Sequence, residues 1–351
     1  MPDTKLTRRP AVPNPLVNLA WIHPFLEILD ESGVSCEDLL GEADLPALAV
    51  DDGSAIVPTD KIYRFVYLAA QASRMPDLGL RAGSRVDIHP LLPTTEHFWR
   101  QPDVFRTLKS FIDVCIDTSS NVDMWIESRS DPERTLDFFY RGTFGPQNPA
   151  FPMVEQFMVA LMVKMTQFAA GPNWRPDLVN LRALSIPEKA MKNIAGDAEV
   201  LCGQVKTSLR FPSHHWVNQI DPFPLPDSAI WQRQRKSLER RNLSDDFVGP
   251  LRLVLRAYLP DGSPSIGFAA KLAGTTVRTL QRRLADRGTT YSQLLDDLRH
   301  DVAIYLLRDR NRQIADVSRE LGYRDPAIFT RAFRRWTGMT PSKFRRDISV
   351  S

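Results

Sequence analysis

Ala269-Ala270-Lys271-Leu272-Ala273-Gly274, then Thr276 to Leu284 and a stop at Gly288, decides the fold of the C-terminal third, because the chain repeats it. The second copy runs Val317-Ser318-Arg319-Glu320-Leu321-Gly322, then Asp325 to Phe333, and stops at Gly338. Gly274 to Gly322 is 48 residues, Leu280 to Phe329 is 49 and Gly288 to Gly338 is 50. Each copy reads as helix, glycine turn, helix, glycine stop, which is the helix-turn-helix plan. Ala270 and Ser318 are small enough for the second helix to approach the first, and the turn glycines permit a left-handed backbone. Thr275 or Thr276 caps the second helix of the first copy, and Asp325 followed by Pro326 caps that of the second. Leu280 and Leu284, or Phe329 and Phe333, form the buried stripe. The opposite faces carry Arg278, Gln281, Arg282 and Arg283 in one copy and Thr330, Arg331, Arg334 and Arg335 in the other.

One helix, Tyr291 to Arg308, lies between the copies, with Thr290 and Gln293 placed as a capping box. Its apolar stripe is Tyr291, Leu294, Leu295, Leu298, Val302, Tyr305 and Leu306. At 1.5 Å per residue it spans about 27 Å. Major-groove faces on one side of B-DNA recur about every 34 Å. A helix of this length therefore suits the support of two second helices in adjacent grooves. Arginine and glutamine read guanine and adenine edges bidentately, while further arginines meet phosphates.

Charge points the same way. Residues 241–351 hold 20 Lys+Arg against 12 Asp+Glu, and the remaining 240 hold 25 against 30. A basic third on an acidic body is the layout of a nucleic-acid-binding module joined to something else. The length of 351 residues suits two domains, and 43% hydrophobic with 25% charged residues is ordinary globular usage. Cys36, Cys115 and Cys202 are far apart, with no disulfide framework and no zinc spacing. A reducing cytosol with no cofactor and no metal is expected. Met1 to Pro15 has no apolar signal core, and the apolar stretch Ala150 to Ala170 carries Glu155, Lys164 and Gln167. It reads as a buried helix, and no membrane partner is expected.

The first 240 residues mix two periods. Leu16 to Ser32, Asp60 to Ala70 and Val104 to Cys115 are apolar at helical spacing. Val122 to Glu127 and Leu136 to Arg141 alternate, with a turn over Ser128–Arg134, and predict a hairpin. Trp125 and Phe139 fall on the face opposite its main apolar stripe, packing on a helix or a partner. Phe151 to Ala170 is one long helix whose Met153, Met158, Met162 and Met165 line either a pocket or plain core. Leu178 to Ile186 and Val205 to Phe211 are two further strands. The fold class is an α+β N-terminal domain, helices on an antiparallel or mixed sheet, followed by an all-α double helix-turn-helix domain. His214-His215-Trp216 reads as a strand end rather than a metal site, since neighbours on a strand point opposite ways.

Val277-Arg278-Thr279-Leu280-Gln281-Arg282-Arg283-Leu284, Leu298-Arg299, Leu321-Gly322-Tyr323, Phe329 to Trp336 and Gly338 to Arg345 together resemble the DNA-binding domain of AraC/XylS-family transcription regulators. The resemblance covers about Phe247 to Asp347. It implies a cytoplasmic bacterial regulator, commonly an activator, on double-stranded promoter DNA beside RNA polymerase. Carried over, the base-reading positions fall on Arg278, Gln281 and Arg282, and on Pro326, Ala327, Thr330 and Arg331. Thr279, Arg334 and Arg335 complete the DNA-contact set, with Arg335 on phosphate. Ser318 departs from the family's usual alanine, and Ala327 from a frequent polar residue. Pro326 and Ala327 have no side-chain donor, so the first unit is expected to carry more sequence information and the second more phosphate anchoring.

The body resembles the N-terminal domain of an ornithine-responsive AraC subgroup through Leu39-Leu40-Gly41, Asp77-Leu78-Gly79-Leu80 and Val205 to Phe211. That implies effector binding, homodimerisation or both, and names neither effector nor pocket. The expected division is a disordered tail at 1–15, the effector-binding or dimerisation domain at 16–221, a linker at 222–246 and the DNA-binding domain at 247–347. No catalytic arrangement stands out, and the chain reads as a regulator controlled by a small molecule. Two alternatives stay open. One is the same regulator controlled by a protein partner or by abundance. The other is a DNA-modifying enzyme with this tail, which would need a reactive cysteine.

Overall fold

Residues 15–50, 55–87, 104–118, 122–129, 135–212, 248–309 and 311–347 are described by the computed structural model. Leu16–Asn18 (β1) pairs antiparallel with Ile56–Pro58 (β2). Two 3-10 turns (Leu19–Ile22 and Ala47–Ala49), His23–Glu31 (α1) and Cys36–Glu42 (α2) lie between them. The sequence predicts one helix from Leu16 to Ser32, and the chain instead starts extended. Asn18 accepts a hydrogen bond from the Ala20 N–H, and Pro24 sits in the first turn of α1, where a missing N–H costs nothing. Thr59–Ser73 (α3), Leu78–Arg85 (α4) and Val104–Thr118 (α5) follow.

The main sheet begins with the expected hairpin, Val122–Ser128 (β3) and Thr135–Gly142 (β4), in the register Met124 to Tyr140 and Trp125 to Phe139. Phe151–Ala170 (α6) is the predicted central helix, entered through Pro152 and ended at Gly171. Leu178–Asn180 (β5), Glu188–Ala195 (α7), Glu199–Leu201 (β6) and Thr207–Pro212 (β7) complete the half. Strand order is β3-β4-β7-β5-β6, with β5 and β6 parallel and the other pairs antiparallel. The sheet is therefore mixed. β5 is shorter than the predicted strand because the Arg182 and Ala183 N–H groups turn to the Glu155 carboxylate, at 2.9 and 2.8 Å. Val205, expected in the last strand, lies outside it and is exposed.

Val159, Leu161 and Met162 of α6 are buried with Phe138, Val179, Leu209 and Phe211 of the sheet in one core. On another side α4 crosses α6 closely. A Cβ on Gly79 or Gly83 would strike the Met153 or Phe157 carbonyl, so only glycine admits this approach. Met162 and Met165 are core, while Met158 borders a cavity. On the opposite face of the sheet Trp125 stacks on Phe139 with centroids 5.0 Å apart, and the Lys206 ammonium lies 4.7 Å from the Phe139 centroid. The 1–15 tail (through residue 14), the 222–246 linker and His214-His215-Trp216 lie outside the described residues.

The C-terminal half is all helical: Val248–Ala257 (α8), Ile266–Leu272 (α9), Val277–Ala285 (α10), Tyr291–Leu307 (α11), Ile314–Glu320 (α12), Pro326–Thr337 (α13) and Pro341–Asp347 (α14). Leu294, Leu295 and Leu298 of α11 are buried in one cluster with Leu280 and Leu284. Ala303, Leu306 and Leu307, further along the same helix, are buried with Val317, Leu321, Phe329 and Phe333. One helix thus supports both units, as its stripe predicts. Tyr305 departs from that stripe: it is 42% exposed, with the Arg256 guanidinium over its ring. Arg299 takes the inward position instead, at 8% exposure, and donates through Nε to the Leu321 carbonyl at 3.2 Å.

Candidate nucleic-acid interface

The two second helices, α10 and α13, are built alike. Thr276, rather than Thr275, caps α10 by accepting from the Thr279 N–H. Asp325 caps α13 through the Ala327 N–H, and Pro326 opens the helix. Gly274 and Gly322 turn with φ of 59 and 78°. Gly322 has a second constraint: a Cβ there would meet the Leu259 carbonyl, so the turn of the second unit packs on the chain after α8. The Thr290–Gln293 capping box fixes the start of α11.

Arg278, Gln281 and Arg282 are exposed along α10; Ala327, Arg331 and Arg334 are exposed along α13, with Pro326 at its start. The side chains of Arg278, Gln281, Arg282, Arg331 and Arg334 make no hydrogen bond or ion pair among the described residues. That distinguishes them from arginines elsewhere in the C-terminal part of the chain. Arg252 pairs with Asp301 at 2.6 Å, Arg319 with Asp316 at 3.2 Å, and Arg312 with Glu320. Unpaired guanidiniums on one helical face keep their N–H donors open to a partner from outside the chain.

Three residues of the expected set are tied down. Thr279 is half-buried and its hydroxyl bonds that of Thr276 at 3.0 Å, so it belongs to the cap. The Thr330 hydroxyl donates to the Pro326 carbonyl at 2.9 Å, leaving only acceptor capacity outward. Arg335 pairs with Asp296 of α11 at 2.7 Å while staying 65% exposed. Two apolar side chains escaped the sequence reading. Val277 and Ile328 are 37% and 45% exposed, one in the first turn of each helix. The signal for Ile328 lay in the stripe, since it falls outside the Phe329–Phe333 register and had to point away from the core; Val277 lies in register with Leu280 and Leu284 and stands open as the first residue of α10.

A second set of contacts joins the halves. Asp44, after α2, has φ of 54°, a left-handed conformation that aspartate tolerates better than most non-glycine residues. Its carboxylate accepts from Lys61 of α3 at 2.7 Å and Lys271 of α9 at 2.9 Å. Its backbone carbonyl accepts from the Tyr258 hydroxyl at 3.0 Å. The hydrogen bonds from Lys61, and then Lys271, hold the Asp44 carboxyl below its usual pKa. Burial pushes the Cys36 and Cys202 thiols up, which keeps both protonated and poorly nucleophilic near neutral pH.

Two helix-turn-helix units on one supporting helix, with unpaired arginines on both second helices, define a DNA-binding protein. Comparison with known proteins agrees. Residues 269–347 match a helix-turn-helix domain family, and residues 33–219 match the N-terminal arabinose-binding domain of AraC transcription regulators. The uncharacterized HTH-type transcriptional regulator Rv1395 of Mycobacterium tuberculosis is 45% identical over 347 residues, 91% of this chain and 93% of that one. The ornithine utilization regulator of Pseudomonas aeruginosa is 40% identical over 139 residues, 37% of this chain and 41% of that regulator's length. The crystal structure of the regulator CdpR from Pseudomonas aeruginosa aligns with a TM-score of 0.43 at 22% identity, covering 94% of this chain and 98% of that one. The chain belongs to the AraC family of transcription regulators. Its relatives are named as regulators, which sets aside the enzyme reading. No helix among the described residues is long and apolar enough to cross a membrane.

Proposed function

We propose that this protein is a transcription activator that reads promoter DNA with α10 and α13, and that a small molecule held in the N-terminal half controls it. The observation that carries the reading is the set of unpaired, exposed Arg278, Gln281, Arg282, Arg331 and Arg334 on helices that share α11. In this reading Arg278, Gln281 and Arg282 meet base edges and Arg331 and Arg334 meet phosphates or bases of the next groove. Val277 and Ile328 offer apolar contact to thymine methyl groups. Arg335 reaches phosphate from a position fixed by Asp296. Activation through RNA polymerase, and a homodimer formed by the body, follow from the family resemblance. The proposed division keeps 16–221 as the sensing unit and 247–347 as the DNA-binding unit. Support for control from the body comes from the Lys61–Asp44–Lys271 contact, which ties a helix of the N-terminal half to the first helix of the first unit. The relative named for ornithine utilization supplies the precedent of a metabolite-linked regulator.

The test is DNA-binding anisotropy and transcription in vitro on the fragment upstream of the protein's own gene. The full chain should bind this fragment in preference to scrambled DNA and raise transcription from it. Equal binding to both fragments would contradict sequence reading, and lowered transcription would contradict activation.

A further inference from the structure

A cavity of about 70 Å³ lies in the N-terminal half, where α1, α3, α6 and the β3–β4 hairpin meet. Trp21, Phe25, Tyr63, Tyr140, Phe157 and Met158 form much of its wall. Among the described lining residues none carries a formal charge, and only Trp21, Tyr63 and Tyr140 have a side-chain nitrogen or oxygen. The Tyr63 and Tyr140 hydroxyls hydrogen-bond to each other, and burial keeps both neutral: Tyr63 is pushed up to about 12, and Tyr140 is raised well above the usual tyrosine value. The charges behind Tyr140 are spoken for. The Glu155 carboxylate accepts from the Arg182 and Ala183 N–H groups and from the Thr207 hydroxyl. The Arg182 guanidinium lies over the Phe151 ring, 5.2 Å from its centroid.

This chemistry selects a ligand class. An ionised group would leave water for a wall without a counter-charge, which opposes its entry. A sugar would bury many hydroxyls against two tyrosine oxygens, and each unmatched one carries a desolvation penalty. An apolar body replaces water against aromatic and thioether surface at a gain, and methionines adapt to its shape. An apolar cavity of about 150 Å³ takes benzene, about twice the volume of this one, so a ring-sized body enters only as the Met124 and Met158 side chains yield to it. We propose that the cavity is the effector site for a small, uncharged, mainly apolar molecule with one hydroxyl or carbonyl, which bonds the Tyr63–Tyr140 pair. The inference rests on the reading of the N-terminal half as a sensor. It also departs from the arabinose of the matched N-terminal family's description and the ornithine of one relative's name, since neither is apolar and ornithine is charged. Occupancy has a route outward, because Tyr63 and Lys61 share the first turns of α3, and Lys61 holds Asp44 against Lys271.

The experiment uses the full chain and saturation-transfer NMR with p-cresol, 1-hexanol and cyclohexanone as probes, and p-hydroxybenzoate, arabinose and ornithine as contrasts. The neutral probes should bind and the contrasts should not. Tyr63→Phe should weaken p-cresol about tenfold, the loss of one hydrogen bond. Met158→Trp, which fills the space, should abolish the signal while promoter binding without ligand is kept. Binding of arabinose or ornithine in competition with p-cresol would overturn the ligand class. Binding indifferent to both substitutions, or no binding of any neutral probe to a chain that still binds promoter DNA, would overturn the site. Probe binding at the cavity with no change in DNA affinity would instead sink the sensor reading and leave the site standing.

Discussion

Ser318 packs in the first helix of the second unit with its hydroxyl buried and without a partner among the described residues. A buried hydroxyl without a hydrogen bond is a net cost, and this is the position where the family usually has alanine. Ser318→Ala is therefore expected to stabilise the protein by about 1 kcal/mol, seen as a higher urea midpoint at unchanged slope. A lower midpoint would mean that the hydroxyl is satisfied. Arg282 belongs to the same scale. Arg282→Ala should cost about 1–3 kcal/mol on the cognate site and far less on scrambled DNA, if the guanidinium is bidentate to guanine. Equal losses on both would make it a phosphate contact. The free arginines were legible because the buried stripe of each helix dictates the outward face. The Arg335–Asp296 pair was not, because its partners lie 39 residues apart and meet only once α13 packs on α11.

Among the elements, the long ones with caps were the legible ones. α6, α11 and α13 carry three or more turns of apolar period, the shorter α10 repeats the pattern of α13, and all four are bounded by proline, threonine, aspartate or glycine signals local in sequence. β1, β2 and β6 are three residues each. A strand that short has no period to read and exists only through a distant partner. The end of β5 is likewise set from afar, by Glu155 on α6. That carboxylate is buried and accepts three hydrogen bonds from the segment after β5 and from β7. Glu155→Ala should lower stability by at least about 2 kcal/mol, since it leaves buried donors unmatched. Glu155→Gln should recover part of the loss, as one amide oxygen still accepts. Unfolding curves that separate neither variant from wild type would show that the bonds contribute nothing. The cavity escaped sequence reading for the same reason as the short strands. Its wall comes from α1, α3, α6 and the hairpin, and only Met158 of the methionine stripe reaches it.

At the scale of the whole molecule, the acidic body and basic tail seen in the composition meet at Asp44. The contact is electrostatic and carries a sign. Asp44's carboxyl is held below its usual pKa, by Lys61 first and Lys271 also. Its contribution is therefore complete above the usual carboxylate value and lost as pH falls through its own lower one. The stability difference between wild type and Asp44→Asn should be constant from pH 7 to about 5 and fade only below about 4. A difference that changes between pH 7 and 5 would assign the effect to another group. Lys271→Met tests the same link from the other side. It should leave each half folded and reduce the effect of any N-terminal ligand on DNA affinity.

Two units on one helix should read two turns of one duplex face. Methylation interference at guanine N7 on the bound promoter fragment addresses it most directly. Two clusters of interfering guanines are expected about 10 base pairs apart, the spacing of adjacent major grooves, with Arg282→Ala erasing contacts in one cluster and Arg331→Ala in the other. A single cluster, unchanged by Arg331→Ala, would contradict it.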